Sequence, residues 1–129
     1  MTDEKIEKRK QDFIETTKKE RGKVPPPWAY MIENDFEFIE GYNHIYDLGL
    51  KEGESLPVKT RELVAIGILA FRGLGDGVYE HMRRALKFGA TKRELLEAVE
   101  TTLIPGGAPT FYAGLRALLK IEEEDRKGK

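Results

Sequence analysis

One uninterrupted apolar run constrains the fold of this chain more than any other feature. Residues 63–71 read LVAIGILAF and contain no polar side chain. A buried strand and a buried helix can both produce such a run, so length must decide between them. The run belongs to a segment of about 16 residues between Pro57 and Gly73, whereas strands most often have about five or six residues. We therefore predict a central helix that is buried on nearly every side, with Ser55 as its capping hydroxyl.

The rest of the chain also shows helical patterns, and no segment alternates polar and apolar residues as a half-exposed strand would. Start and stop signals predict further helices over residues 3–21, over two stretches within 28–50, and over 78–88, 91–103 and 108–124. Proline and glycine clusters separate them. The sequence therefore predicts an all-α fold of about six to seven helices, with residues 1–129 forming a single domain.

The charge balance argues against two classes of partner. The chain has 22 Lys and Arg residues against 23 Asp and Glu residues, for a formal net charge of -1. Binding to nucleic acid or to an anionic membrane depends on neutralising many phosphates, so we predict neither partner. No run of about 18 apolar residues is present, and the charged N-terminus does not resemble a signal peptide. We expect a cytoplasmic protein.

The sequence contains no cysteine and only two histidines. Thiol catalysis, disulfides and zinc–thiolate sites are therefore excluded. The two histidines lie far apart in the sequence and give no ligand spacing, so we predict no metal site.

Three segments together resemble the carboxymuconolactone decarboxylase family. They are LPVKTRELVAI at 56–66, EHMRRA at 80–85 and FGATKREL at 88–95, and a glycine–proline break at 105–109 follows them. The resemblance covers about residues 24–120, which we take as the core of the domain, behind an N-terminal helix over 3–21. It implies the alkylhydroperoxidase-D-like fold and a homo-oligomer, a trimer or a hexamer.

The resemblance also has one clear departure. The alkylhydroperoxidase-D-like branch of the family carries a Cys-x-x-Cys pair just before its histidine, with a glutamate upstream. The matching cysteine positions here are Leu74 and Gly77, whereas the glutamate and the histidine remain as Glu62 and His81. Peroxide chemistry needs a thiolate. The cysteine-free decarboxylase branch is therefore the nearer relative.

His81 and Glu62 are the candidate catalytic residues. An imidazole can give and take a proton near neutral pH, which suits decarboxylation of an unsaturated lactone acid without a metal or an organic cofactor. Helical spacing places His81 in line with Val78 and Ala85, so its ring should be partly shielded. Glu62 could orient this ring. It could equally be a carboxylate favoured by the positive end of the helix dipole.

Three further side chains are candidates for binding substrate. Arg84 lies one turn after His81, and Arg61 is adjacent to Glu62; guanidinium groups suit substrate carboxylates. His44 lies among Tyr42 and Tyr46 and could line a pocket. Aromatic stripes of this kind are more often core packing, and most helical arginines are solvated or structural.

These observations leave two hypotheses for function. The first is a decarboxylase acting without a cofactor on a small carboxylated lactone or a related acid, as the resemblance implies, in the catabolism of aromatic compounds. The second is a catalytically silent helical oligomer that binds a small ligand or a partner protein. An oligomer suits both, because a central helix apolar on every face cannot be covered by the few helices of so short a chain.

Overall fold

The computed structural model describes residues 2–128, and these residues form seven α-helices and no strand. The helices are α1 (Asp3–Arg21), α2 (Pro26–Asn34), α3 (Phe36–Leu50), α4 (Val58–Phe71), α5 (Gly75–Lys87), α6 (Lys92–Thr101) and α7 (Leu103–Lys127). The predicted all-α class and helix number are confirmed. None of the described helices is long and apolar enough to cross a membrane.

The chain divides into two compact units, the first ending at Leu48 and the second beginning at Gly49. The first unit has its own small core around Ile32, Phe36 and Ile39. Phe13 of α1 joins this core through ring contacts with Trp28 and Phe36, at centroid distances of 5.8 and 5.6 Å. The division does not test whether residues 1–129 form a single domain, so this stays a prediction.

The second unit contains the larger core, built where α4, α5, α6 and α7 pack together. Its largest fully buried apolar side chains are Ile66, Val78, Met82, Leu95, Val99 and Ile121. Gly114 of α7 lies against Val99 of α6, and a Cβ at this glycine would come within 2.7 Å of the valine side chain. The close packing of α7 on α6 therefore requires a residue without a side chain at position 114.

The start of α4 differs from the prediction. Pro57 is its N-cap and no side chain caps this position; instead, the carboxylate of Glu52 accepts the Val58 N–H at 3.1 Å. The prediction of Ser55 as the capping residue is therefore wrong. Glutamate has the reach to accept this hydrogen bond from six residues away, which local cap rules do not consider.

The turn between α4 and α5 is shorter than the sequence predicts. Among the described glycines near it only Gly73 has positive φ, at 71°, and the N–H groups of Gly73 and Leu74 donate to the carbonyls of Ala70 and Leu69, both at 3.0 Å. These bonds complete the end of α4 within three residues. Gly75 and Gly77 consequently lie inside α5 rather than in the turn.

The predicted break near residues 105–107 is present as a kink within α7. Gly107 has φ 81° and ψ 175°, a conformation that essentially only glycine adopts. The predicted capping box of α6 is also present, since Thr91 Oγ1 accepts the Glu94 N–H and Glu94 Oε1 accepts the Thr91 N–H, both at 3.0 Å.

The expectation that α4 is buried on nearly every side is wrong for the single chain. Val64, Ile68 and Phe71 are 55%, 58% and 67% exposed. The other three helices of the second unit, α5, α6 and α7, cover one side of α4 and leave these residues open. The unbroken apolar run could not reveal this, because it carries no polar residue to mark the uncovered side.

Candidate functional site

Glu62 lies in the first turns of α4 and is fully buried. It shares the covered side of the helix with Ile66 and Ala70, which are four and eight residues further on and are also buried. A carboxylate in such a position costs free energy unless charged or hydrogen-bonding groups meet it. The buried carboxylate of Glu62 therefore requires partners from the neighbouring helices.

Two side chains of α5 meet the two oxygens of Glu62. His81 Nδ1 lies 2.6 Å from Oε2, and Arg84 Nε donates to Oε1 at 2.5 Å. His81 and Arg84 are three residues apart and so lie on the same side of α5. The structure thus brings together three of the five predicted site residues, including the predicted catalytic pair.

The position of the proton in the carboxylate–imidazole contact depends on the charge of Glu62. An ionised carboxylate only accepts hydrogen bonds, so beside an ionised Glu62 the proton lies on Nδ1 of His81. The His81 side chain is 16% exposed, so solvent reaches a ring that is otherwise shielded, as its place on the helix predicts. This arrangement can orient an imidazole for proton transfer at its other nitrogen.

Arg84 has a second contact that sequence reasoning missed. Its guanidinium carbon lies 5.1 Å from the centre of the Phe88 ring, a cation–π distance. The i,i+4 spacing of the two residues on one helix is the signal that could have indicated this contact. Phe88 therefore helps to fix the arginine beside Glu62, although the Arg84 side chain remains 24% exposed.

The other two predicted binding residues are placed differently. Arg61 Nη1 donates to the backbone carbonyl of Lys51 at 2.6 Å, so this guanidinium binds the segment that connects α3 to α4. His44 is exposed on α3, in the first unit. Their roles toward a substrate stay predictions.

A groove of about 760 Å³ lies on the second unit, between α4, α6 and the start of α7. Its lining is mostly apolar and includes some acidic and hydroxyl side chains: Thr60, Leu63, Val64, Gly67, Ile68, Phe71, Glu94, Glu97, Ala98, Thr101, Thr102, Pro105, Gly106 and Thr110. Gly67, at the middle of the α4 face, leaves room where a side chain would stand. We call this feature the α4–α6 groove.

The α4–α6 groove and the Glu62 cluster lie on opposite sides of α4. Each residue turns a helix by about 100°, so Glu62 points about 140–180° away from Val64, Gly67 and Phe71. None of Glu62, His81 and Arg84 lines the groove. One helix therefore carries two separate candidate sites.

A second cluster of charged side chains links α5 to the C-terminal part of α7. Arg83 donates to Asp125 at 2.9 Å and Lys92 reaches the same carboxylate at 2.9 Å. These cations, Lys92 first, lower the pKa of Asp125 below its ordinary value. The pKa of Glu124 is also lowered, chiefly by the hydrogen bond from Tyr79 at 3.1 Å. Because all these groups are at the surface, we assign them to holding α7 rather than to chemistry.

Among residues 2–128, no three Asp, Glu, Cys or His side chains gather closely enough to hold a metal ion. Over the same residues, every buried polar side-chain atom has a hydrogen-bond partner. The buried polar atoms of the Glu62 cluster are therefore all hydrogen-bonded.

Comparison with known proteins agrees with the fold and with the sequence motifs. The sequence profile of the carboxymuconolactone decarboxylase family matches residues 37–120. An uncharacterized protein of Methanocaldococcus jannaschii is 33% identical in an alignment of 104 residues that covers 70% of this chain and all of that protein. An uncharacterized protein of Cupriavidus necator is 33% identical over 64 residues, or 50% of this chain and 57% of that protein.

Two solved structures have the same fold. A protein from Burkholderia xenovorans LB400, designated a carboxymuconolactone decarboxylase, is 22% identical with a TM-score of 0.71, covering 99% of both chains. A carboxymuconolactone decarboxylase family protein from Legionella pneumophila, in its apo form, is 23% identical with a TM-score of 0.68, covering 89% of this chain and 96% of that one. This chain belongs to the carboxymuconolactone decarboxylase family, in a form without cysteine.

Proposed function

We propose that this protein decarboxylates a small carboxylated lactone or a related unsaturated acid without a cofactor, with His81 as its general acid and base. The observation that carries the proposal is the contact of 2.6 Å between His81 Nδ1 and a fully buried Glu62. This contact orients a ring that solvent still reaches, which is the arrangement that proton transfer to a substrate needs.

The proposed reaction has two parts. The bond between the carboxyl carbon and the lactone skeleton breaks, carbon dioxide leaves, and the electron pair stays on the substrate, delocalised over its double bond and carbonyl. Protonated His81 then delivers a proton from Nε2 to the substrate carbon and becomes neutral, and a proton from water restores it. Glu62 stabilises the protonated ring throughout, because its charge lies beside Nδ1.

Arg84 is the proposed partner for a carboxylate of the substrate. Its Nε is used by Glu62, whereas a guanidinium has two further amino groups that can form paired hydrogen bonds to a second carboxylate. Its partial exposure and its place one turn from His81 support this role. Arg61 and His44 are weaker candidates, since Arg61 already binds a backbone carbonyl.

The test is carbon dioxide release from a panel of unsaturated lactone acids by the purified full-length protein. We expect turnover that His81→Gln reduces by about 10²–10⁴-fold, the usual contribution of a positioned acid–base group. Lys87→Gln is the control, since it changes an exposed residue of the same helix and is expected to keep most of the activity. No release from any lactone acid, or full activity in His81→Gln, would contradict the proposal.

A second candidate function is supported by the α4–α6 groove, namely a catalytically silent oligomer that binds a small ligand or a partner protein. In either case we propose a cytoplasmic homo-oligomer, a trimer or a hexamer. The oligomer is supported by the apolar side chains of Val64, Ile68 and Phe71, which are more than half exposed in the single chain. Light scattering during gel filtration tests this: Ile68→Asp is expected to lower the mass of the particle. A wild-type protein that stays monomeric at high concentration would contradict it.

A further inference from the structure

The carboxylate of Glu62 has one nitrogen-bearing side chain at each oxygen. Arg84 Nε donates to Oε1 and His81 Nδ1 meets Oε2, at 2.5 and 2.6 Å, inside a site where Glu62 itself has no exposed surface. Arginine keeps its charge at every pH at which the protein is folded, whereas the charge of a histidine comes and goes. When His81 is neutral, Arg84 is therefore the cation that still offsets the buried charge of Glu62.

The charge of Glu62 in turn determines where the neutral histidine carries its proton. A carboxylate has only acceptor sites, so its contact with Nδ1 requires the tautomer that is protonated on Nδ1 and has its lone pair on Nε2. A protonated Glu62 could instead donate to Nδ1, and the ring would then carry its proton on Nε2 and could not accept one there.

We propose that Arg84 is a positioning residue that acts through Glu62: by keeping the carboxylate charged, it holds neutral His81 in the tautomer that presents a basic Nε2. This inference rests on the proposed function and extends it. It gives the hydrogen bond from Arg84 Nε to Glu62 a role in positioning His81, whatever the other amino groups of Arg84 bind.

The geometry assigns this role to Arg84 and not to its neighbour. Arg83 lies one residue earlier on α5 and so points in a different direction. It pairs with Asp125 at 2.9 Å and with Glu124 at 3.4 Å, on α7. Arg84 is additionally packed on Phe88, which restricts the rotation of its guanidinium and keeps Nε directed at Glu62. Arg83→Gln is thus a matched control for Arg84→Gln.

Nitrogen NMR of the full-length protein, with nitrogen-15 in its two histidines, tests the proposal without any substrate. His44→Gln identifies the signals of His81. In the wild-type protein, neutral His81 is expected to show a protonated Nδ1 and an unprotonated Nε2. The opposite tautomer would overturn the proposal, and this measurement needs no variant of Arg84.

Substitutions then test the part played by the arginine. Arg84→Gln is expected to shift the population of neutral His81 toward the tautomer protonated on Nε2, whereas Arg83→Gln leaves it unchanged. Arg84→Lys retains the charge and is expected to lie between Arg84→Gln and the wild type. An unchanged tautomer in Arg84→Gln, or an equal shift in Arg83→Gln, would refute the role of Arg84. A lysine variant indistinguishable from the glutamine variant would refute the role of its charge.

Activity measurements separate this inference from the proposed function. With a turned-over lactone acid, Arg84→Gln is expected to lower kcat and Arg84→Lys to restore part of it. The predicted tautomers in a protein that releases carbon dioxide from no lactone acid would overturn the proposed function and leave the role of Arg84 standing. Turnover combined with an unaltered tautomer in Arg84→Gln would overturn only the role of Arg84.

Discussion

The two sides of α4 reverse the usual distribution of residues between the inside and the surface of a protein. The covered side holds a fully buried carboxylate, Glu62, with an arginine and a histidine as its partners. The open side holds Val64, Ile68 and Phe71, all more than half exposed. Buried charges and exposed apolar surfaces both cost stability in a single chain, and both are informative for that reason. We propose chemistry for the covered side, and a partner or a ligand for the open side.

The comparison predicts its largest effect at the buried charge. Glu62→Ala leaves the cationic Arg84 and the ring of His81 without their shared acceptor, which is expected to cost about 3–5 kcal/mol of unfolding free energy. Urea unfolding followed by circular dichroism measures this cost. Glu97→Ala, at the exposed edge of the groove, is the control and should change stability by less than about 0.5 kcal/mol. A loss at Glu62 as small as that control would mean that the cluster contributes little to the fold.

A matched pair of isoleucines on α4 gives the next effect. Ile66 is fully buried and Ile68 is 58% exposed. Ile66→Ala is expected to cost about 2–5 kcal/mol by leaving a cavity in the core. Ile68→Ala is expected to cost less than about 1 kcal/mol in a solution dilute enough to dissociate the proposed oligomer. Repeating the unfolding at several protein concentrations sharpens the comparison. If the cost at Ile68 grows with concentration, the open side is covered in an assembly; if both isoleucines cost the same at every dilution, the two sides of α4 do not differ.

The smallest effect concerns ion pairs at the surface, which contrast with the buried one. The pKa of Asp125 is lowered by Lys92 and Arg83, so its contribution to stability is present above the pKa of about 4 that it has in the unfolded chain and is lost as the pH falls through its lower folded value. The unfolding midpoint of the wild type should therefore decline below about pH 4, and Asp125→Asn should make that decline shallower. Asp35→Asn is the control. An identical decline in wild type and Asp125→Asn would show that these surface pairs are energetically silent.

Much of the fold could be predicted from the sequence because its signals are local. The bounds of α1 and the capping box at Thr91 and Glu94 depend on residues a few positions apart, and both are as predicted. The start of α5 at Gly75 was missed because a glycine-rich segment is equally compatible with a turn and with a helix once Gly73 alone takes positive φ. The cap of α4 was missed because its acceptor, Glu52, is six residues away.

The candidate site was predictable in its members but not in its connections. Family motifs indicated Glu62 and His81, and helical spacing put the histidine in a shielded place. The bond between Arg84 and Glu62 joins residues 22 apart on different helices, and no periodicity within one helix reports how two helices are turned toward each other. The α4–α6 groove escaped for a related reason, since an unbroken apolar run looks the same whether neighbouring helices cover all of it or half.

Gly67 lies on the open side of α4, at a position where the helix is less stable than alanine would make it. It stands in the interior of a regular helix, without positive φ, and a Cβ added there would meet only the Thr102 methyl group at an ordinary 3.7 Å. Alanine would fit this position and would be more favourable in a helix by roughly 0.5–1 kcal/mol. Neither backbone geometry nor crowding therefore demands a glycine here. Its missing methyl group leaves depth in the α4–α6 groove, at a position where the helix is weaker than it could be.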